Sequence, residues 1–338
     1  MTPRTSAQIP LPGILRAHRL WLENPAEGCP ADLSGVTLND RDLSGVDLRR
    51  AILNGVTLLD SNLAGADLSA ARLYRADLQR ANLASADLTA ADLSGAVFSG
   101  AWLNEANLSE VAARGAVFKG ARLTKARMFE ASVQDSNFRQ VSAVLASFHQ
   151  STFYDVDFTE SELNLAQFYR ARLQHARFTG VSAPESNFSG SKLDHCDFTR
   201  AAFREARFDR AEITQCVFRA ADLRGCCFRE VRMRGGEFNR AVLGGARFSG
   251  AKLLMTDFRG ANLEDARELG SEQLSQALTD RTTILPNGAK GPYIKGSGSE
   301  KPRIRIVISA DEESSLREAI STQTPKPEDQ GSTLDPNT

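Results

Sequence analysis

A large apolar residue recurs at every fifth position of this chain of 338 residues, from Leu33 to Leu263, except at Ala113, Ala143 and Ala183, and the frame never slips. Forty-seven consecutive five-residue repeats fit this frame, and 17 of the 18 phenylalanines occupy its apolar position. Two residues earlier in each repeat the side chain is small, most often alanine. We number the repeat so that the small residue is first and the large apolar residue is third. The other three positions are mostly polar residues or glycine.

A period of five matches neither the 3.6-residue period of an α-helix nor the two-residue period of a β-strand. It matches a chain that turns a corner in every repeat, so that the first and third side chains point inward. Four such repeats close one coil, and successive coils stack at the spacing of paired strands, about 4.8 Å. The sequence therefore predicts an all-β solenoid of about twelve coils, roughly 55 Å long.

If four repeats close a coil, inward side chains four repeats apart stack in columns. Each column should then be dominated by one type of residue. Two columns are rich in phenylalanine and lie two repeats apart, which places them on opposite sides of the coil. The columns between them are mainly leucine. The phenylalanines of the two columns are Phe98, Phe118, Phe138, Phe158, Phe178, Phe198, Phe218, Phe238 and Phe258, and Phe148, Phe168, Phe188, Phe208, Phe228 and Phe248.

The motif A-[DN]-L-x-x resembles that of the pentapeptide-repeat proteins. It occurs at Ala66-Asp67-Leu68, Ala76-Asp77-Leu78 and Ala86-Asp87-Leu88, among other places. The resemblance covers the whole repeat region and implies a right-handed quadrilateral β-helix. It says little about function, because the motif residues are those of the core and the turns.

Both ends of such a stack need a cap, because the terminal coils expose a sheet edge and the core. Residues 12–24 favour a short amphipathic helix whose apolar face, with Ile14, His18 and Trp21, covers the first coil. At the other end the frame fails at Glu268, and Ser271 is suited to the N-cap of a second helix. We therefore expect an N-terminal segment over 1–30, the repeats over 31–267, a C-terminal cap over 268–287 and a disordered tail over 288–338, in which 304–309 is strand-like.

The charge of the chain is balanced overall but uneven along it. The 41 Lys and Arg nearly cancel the 42 Asp and Glu. Residues 31–110 carry a net charge of −5 and residues 111–265 a net charge of +5. No apolar run reaches the roughly 18 residues of a membrane span, and residues 1–22 lack the features of a cleaved signal peptide. We expect a cytoplasmic protein, with export without a cleaved signal as the alternative.

Neither catalytic motifs nor metal-ligand spacings stand out in this sequence, so we expect no enzyme, no cofactor and no metal site. Asp155, His175 and His195 share one outward column, but a fourth ligand is missing and a flat column rarely gives tetrahedral geometry. Cys196 and Cys216 are four repeats apart at the small inward position. There they are expected as buried packing, although a disulfide between adjacent coils is sterically possible.

The polar surface of the repeats is interrupted by a cluster of apolar residues. Phe129, His149 and Tyr169 fall in one outward column, and Leu145 and Leu165 fall in a neighbouring one. An exposed apolar cluster on a polar protein often marks a contact surface. These five residues, which we call the outer patch, are the predicted partner-binding site.

Two functions follow from these features. The first is a non-enzymatic scaffold or adaptor for a protein partner. For this the resemblance adds that bacterial relatives can accompany secretion systems or act as effectors. The alternative is a DNA mimic that binds DNA gyrase or another type II topoisomerase and confers fluoroquinolone protection. A mimic needs an anionic surface, which the positive charge of residues 111–265 opposes. Nucleic-acid binding is disfavoured, because Arg219, Arg224, Arg229, Arg232 and Arg234 wrap around different sides of a coil.

Overall fold

The computed structural model of the chain describes the backbone of residues 4–5 and residues 10–302, and the strand-like segment 304–309 lies outside them. Each five-residue repeat forms one side of a coil and ends in a left-handed residue. Gly65 has a φ of 63° there, and non-glycine residues adopt the same conformation, such as Asp60 with a φ of 56°. Because the left-handed residue turns the chain from one side of the coil to the next, every fifth residue makes a corner.

Backbone hydrogen bonds are made between coils and within the turns, and an Asp or Asn at the second position of a repeat often accepts one of them. Three N–H groups of each repeat donate to neighbouring coils and one donates within the turn. In many repeats whose second residue is Asp or Asn, the N–H of the fourth residue donates to that side chain. In repeat 86–90 the pairs are Ala86 N to Leu83 O (3.0 Å), Asp87 N to Ala66 O (2.9 Å), Leu88 N to Asn107 O (2.7 Å), Thr89 N to Asp87 Oδ1 (2.9 Å) and Ala90 N to Ser109 O (2.9 Å).

The coils stack in parallel with a register of four repeats on all four sides. Three sides are joined by single bridges, such as Asp67 to Asp87. The fourth side forms an eight-stranded parallel sheet, in which Ala113 lies opposite Val133. Its strands are β3 (Ala112–Arg114), β4 (Ser132–Gln134), β5 (Thr152–Tyr154), β6 (Arg172–Gln174), β7 (Lys192–Asp194), β8 (Glu212–Thr214), β9 (Arg232–Arg234) and β10 (Lys252–Leu254). The predicted parallel β-solenoid is confirmed.

Phenylalanine columns fill the interior, as the spacing of four repeats predicted. The ring of Phe118 stacks on Phe98 at a centroid distance of 4.9 Å and on Phe138 at 4.5 Å. The two columns also meet each other edge to face, as between Phe178 and Phe188 at 6.0 Å. Such edge-to-face and offset contacts are the favoured aromatic geometries. All third-position residues from Leu33 to Leu263 are buried, so the core is continuous along the stack.

The first coil is closed by helix α1 (Leu11–Glu23) and by a two-residue strand. Strand β1 (Arg4–Thr5) pairs in parallel with β2 (Val36–Thr37). His18 on α1 is fully buried, and its Nδ1 accepts a hydrogen bond of 3.0 Å from the N–H of Ala31. The helix therefore covers the core end and pairs a backbone donor of the first repeat.

At the other end, helix α2 (Ser271–Gln276) packs against β10. Gly270, not Ser271, is the N-cap, and its N–H donates to Oε1 of Gln273 at 2.6 Å. The Gln273 amide in turn donates to the carbonyl oxygens of Phe248 (2.7 Å) and Ala251 (3.1 Å). The prediction of Ser271 as the N-cap is wrong. The helix begins one residue earlier than expected, because the Gln273 side chain accepts the N–H of Gly270.

The packed chain continues beyond residue 287, where the sequence led us to expect the tail. Tyr293 packs against the core, and its hydroxyl donates to Oγ of Ser271 at 2.7 Å. The Asn287 N–H donates to the Ser299 carbonyl at 3.2 Å, and Ser299 is buried. Residues 288–302 thus belong to the C-terminal cap. The sequence did not indicate this, because a segment with a single aromatic anchor has no apolar period. In the described part of the chain, neither helix has the length and apolarity of a membrane-spanning segment.

Candidate interaction surface

The outer patch lies at the turns of three successive coils. Phe129, His149 and Tyr169 are fourth residues of their repeats, so their side chains leave the coil at a corner. Leu145 and Leu165 are fifth residues with a φ of 59°, and they leave the coil at the preceding corner. Exposure of Phe129 is 38% and that of Leu145 is 46%, which is high for large apolar side chains in this protein.

Aromatic rings of the patch form a short stack on the outside of the protein. The rings of Phe129 and His149 are parallel, with centroids 5.4 Å apart, and His149 meets Tyr169 edge to face at 6.0 Å. The guanidinium of Arg170 lies 5.0 Å from the centre of the Tyr169 ring, within the range of a cation–π contact. These contacts fix the orientation of the three aromatic side chains, so the rings present a preorganised apolar edge to solvent.

The two leucines are separated from the aromatic rings by polar side chains. Ser147 and Gln167 are bridged in the middle of the coil side, between the corner with the leucines and the corner with the rings. The sequence placed the two columns next to each other, whereas the structure places a polar column between them. The reason is geometric, because the second residue of a repeat also faces outward. The patch is therefore two apolar edges that flank a polar strip.

His149 is half-buried within the patch, and this burial favours the neutral form of its ring. Its Nδ1 lies 2.9 Å from the hydroxyl of Ser147, and burial lowers the pKa of the ring below its ordinary value. The neighbouring Phe129 and Tyr169 rings favour the neutral imidazole for the same reason, since they displace water from it.

A charged groove that the sequence analysis missed lies next to Tyr169. It has a volume of about 510 Å³ and its charged lining comes mainly from arginine. Ser189 and Gly190 form a notch there, because they are smaller than Tyr169 and Arg170 one coil before and than Asp209 and Arg210 one coil after. The signal in the sequence was this pair of small residues inside columns that otherwise hold Tyr169, Arg170 and Arg210. We call this cavity the arginine groove.

The outward column of Asp155, His175 and His195 does not gather around a common point. The rings of His175 and His195 are 5.2 Å apart, but His195 Nδ1 lies 2.8 Å from Asp194 Oδ1 and thus takes another partner. Within residues 10–302, no group of three or more His, Cys, Asp or Glu side chains could hold a metal ion.

The inward cysteines are free thiols that pack like the alanines they replace. Sγ of Cys216 accepts the N–H of Cys196 at 3.4 Å, and Sγ of Cys226 donates to the Phe203 carbonyl at 2.9 Å. Burial raises the pKa of the thiols of Cys216 and Cys226 well above the ordinary value. A thiol that is not ionised is a poor nucleophile, so the geometry makes these side chains structural.

These observations define a class of protein, a capped parallel β-solenoid whose coils consist of four five-residue sides. The family model "Pentapeptide repeats (8 copies)" matches residues 31–142 and 196–265 in overlapping segments. A second model, "Pentapeptide repeat region", matches residues 144–208. The chain belongs to the pentapeptide repeat family.

Solved structures of the same family resemble the chain at low sequence identity. HetL, a pentapeptide repeat protein involved in heterocyst differentiation regulation from a Nostoc cyanobacterium, is 21% identical, with a TM-score of 0.27, covering 80% of this chain and 97% of HetL. QnrB1, a plasmid-mediated fluoroquinolone resistance protein, is 20% identical, with a TM-score of 0.37, covering 52% of this chain and 88% of QnrB1. Rfr23 from the cyanobacterium Cyanothece is also 20% identical, with a TM-score of 0.22, covering 44% and 97%. No curated protein matches the sequence.

Proposed function

We propose that this protein is a non-enzymatic scaffold that binds a protein partner through the outer patch. The observation that carries the proposal is the stacked, exposed edge of Phe129, His149 and Tyr169. Apolar side chains at these positions add nothing to a core that the first and third residues already fill. Exposed apolar clusters of this kind occur at contact surfaces, where aromatic residues supply most of the binding energy.

A non-enzymatic role agrees with the way the repeat uses its polar residues. Many second-position Asp and Asn side chains accept a backbone N–H of their own repeat, as Asp87 does from Thr89. These carboxylates and amides stabilise turns, so they do not converge on a reacting atom. The proposal includes a cytoplasmic location, with export without a cleaved signal peptide, as an effector or secretion-associated protein, as the alternative. Fractionation of the producing cells with immunoblotting distinguishes these locations.

The double variant Phe129→Ser and Tyr169→Ser tests the proposed surface. We expect its melting temperature to stay close to that of the parent, while recovery of the bound partner from a lysate of the producing cells falls. Quantitative mass spectrometry of captured proteins measures this recovery.

Tyr74→Ser is the matched control, because Tyr74 is also a fourth residue, is 44% exposed and has Arg75 at 5.1 Å from its ring. A protein that the control captures and the double variant loses identifies the partner. Equal recovery by both variants contradicts the proposed surface, and a large fall in melting temperature would show that the patch is covered core.

The alternative function is the DNA mimic that binds DNA gyrase. It is favoured by the acidic column of Asp47, Asp67 and Asp87, which the register of four repeats brings together on residues 31–110. It is opposed by the net charge of +5 on residues 111–265, since the DNA-binding surface of a topoisomerase is itself basic. We expect no inhibition of gyrase supercoiling at micromolar protein. Sub-micromolar inhibition that weakens with added salt would favour the mimic.

A further inference from the structure

The arginine groove runs along the stack at one corner of the coils. Its lining residues recur at intervals of four repeats, from Tyr169 and Arg170 to Arg229 and Glu230, so it spans four successive coils. At about 4.8 Å a coil this is a length of about 14 Å, enough for four to five extended peptide residues. The groove begins at Tyr169, which also ends the outer patch, so the two features form one continuous surface.

The groove carries a net positive charge, and two of its arginines make no ion pair within the described residues. Four arginines line it against two acidic residues. Arg210 pairs with Glu230 through its Nε at 2.9 Å, and Arg207 lies 3.3 Å from Asp209. Among residues 10–302 neither Arg170 nor Arg229 makes an ion pair. Two guanidinium groups are thus available to an anionic ligand, and the Arg210 to Glu230 pair is exposed enough to exchange partners at little cost.

We propose that the arginine groove binds an acidic segment of a protein partner in extended conformation. Carboxylates of the segment pair with Arg170 and Arg229, which line the groove and make no ion pair within residues 10–302. This inference rests on the proposed function, because the same partner would contact the outer patch with apolar residues next to its acidic segment. It adds the chemistry of the partner, which the patch alone does not define.

A peptide fits the groove better than a single-stranded nucleic acid. Asp209 and Glu230 lie between the arginines and would repel a continuous row of phosphates. The ring of Tyr169, with Arg170 against it at 5.0 Å and His149 at its edge, is already in contact with two side chains. Stacking of bases along a run of aromatic residues, which is typical of single-strand binding, has no counterpart beyond Tyr169 in this groove.

Binding of a defined acidic peptide to the full-length protein tests the inference. The probe is a fluorescein-labelled peptide of alternating glutamate and glycine, followed by fluorescence anisotropy, and the same peptide with glutamine in place of glutamate is the neutral control. We expect binding of the acidic peptide only. In the variant Arg170→Ala with Arg229→Ala, its affinity should fall about tenfold or more, the loss expected when charged hydrogen bonds are removed.

Two single variants separate the groove from general surface charge. Arg234→Ala removes another fourth-position arginine one repeat after Arg229, outside the groove, and should leave binding unchanged. Gly190→Gln fills the notch without altering charge. It should weaken binding with a small fall in melting temperature, because a side chain at a φ of 66° slightly reduces the free energy of unfolding, although Arg170 and Arg210 in the same column already have a positive φ. Equal effects of Arg234→Ala and the double arginine variant would overturn the proposal, as would tighter binding of an oligothymidine than of the peptide.

Failure of this inference is distinguishable from failure of the proposed function. Phe129→Ser alters the patch but lies outside the groove. If Phe129→Ser releases the partner and the acidic peptide does not bind, the groove proposal alone is wrong. If the peptide binds as expected and recovery of the partner is unaffected by the patch variants, the patch proposal alone is wrong.

Discussion

The ring of Phe129 lies parallel to the ring of His149 one coil further along, with 3° between their planes and 5.4 Å between their centroids. This stack is on the outside of the protein, where the repeat normally carries polar residues. It withdraws the imidazole from water, which lowers the pKa of His149. Because the pKa is lower in the folded protein than in the unfolded chain, any stability that depends on it is lost as pH falls below the ordinary histidine value.

The first prediction concerns this pair. We expect the pKa of His149, measured by NMR titration of its ring protons, to lie below the ordinary histidine value in the parent protein. In the Phe129→Ser variant it should rise towards that value, because water regains access to the ring. Thr152→Ser on strand β5, which lies on the next side of the coil, serves as the control. A His149 pKa that is unchanged in Phe129→Ser would show that Phe129 does not shield the imidazole.

The second prediction separates inward from outward residues. Phe118→Ala should reduce the free energy of unfolding by about 3–5 kcal/mol, because it leaves a cavity between Phe98 and Phe138. Lys119→Ala changes the next residue, which is exposed, and should cost less than about 0.5 kcal/mol. Chemical denaturation measures both values. Similar losses for the two variants would contradict the inward frame of the repeat.

The third prediction is a pH dependence of the N-terminal cap. Burial lowers the pKa of His18, although the nearby Asp47 opposes the shift. The folded state therefore favours the neutral ring, whose Nδ1 accepts the Ala31 N–H. The contribution of neutral His18 to the free energy of unfolding is fully present above the ordinary histidine pKa of 6.5. It decreases as pH falls from there towards the pKa of His18 in the folded state.

His18→Gln keeps a hydrogen-bond acceptor without a titratable ring, so the variant should show a smaller fall in melting temperature between neutral and mildly acidic pH. Thermal melts monitored by circular dichroism give this comparison. A parent and a variant with the same pH profile would exclude His18 as the source of the dependence.

The fourth prediction addresses the C-terminal cap. Tyr293→Phe removes the hydrogen bond to Ser271 and should cost about 1 kcal/mol, and Tyr293→Ala should cost more because it also removes packing against the core. Ile294→Ala is the control, since Ile294 is 67% exposed. Urea denaturation measures the three variants. No difference between Tyr293→Ala and the control would mean that residues 288–302 do not stabilise the stack.

Several elements of the fold follow directly from the sequence frame. The inward columns, with Phe178 between Phe158 and Phe198, could be assigned before the structure, because the side-chain direction repeats with every repeat and the coil with every fourth one. The role of Asp87 as the partner of the Thr89 N–H could not be assigned, since a polar residue on the outside of a coil satisfies the pattern with or without that bond. Helix α1 could be predicted from the period of its apolar residues. The packing of Tyr293 against the core could not be predicted, because one aromatic residue in a polar segment has no period.

The candidate site divides in the same way. Phe129, His149 and Tyr169 follow one another at intervals of four repeats, so the sequence alone determined that they share a column, just as it determined the parallel β-solenoid and its core. Only the tertiary structure decided that the rings of Phe129 and His149 stack in parallel, and that Ser189 and Gly190 leave a groove beside Tyr169. The physical reason is that periodicity fixes the direction in which a side chain leaves the backbone. Contacts, voids and charge pairing depend on the length and conformation of the side chains around it, which lie on other coils.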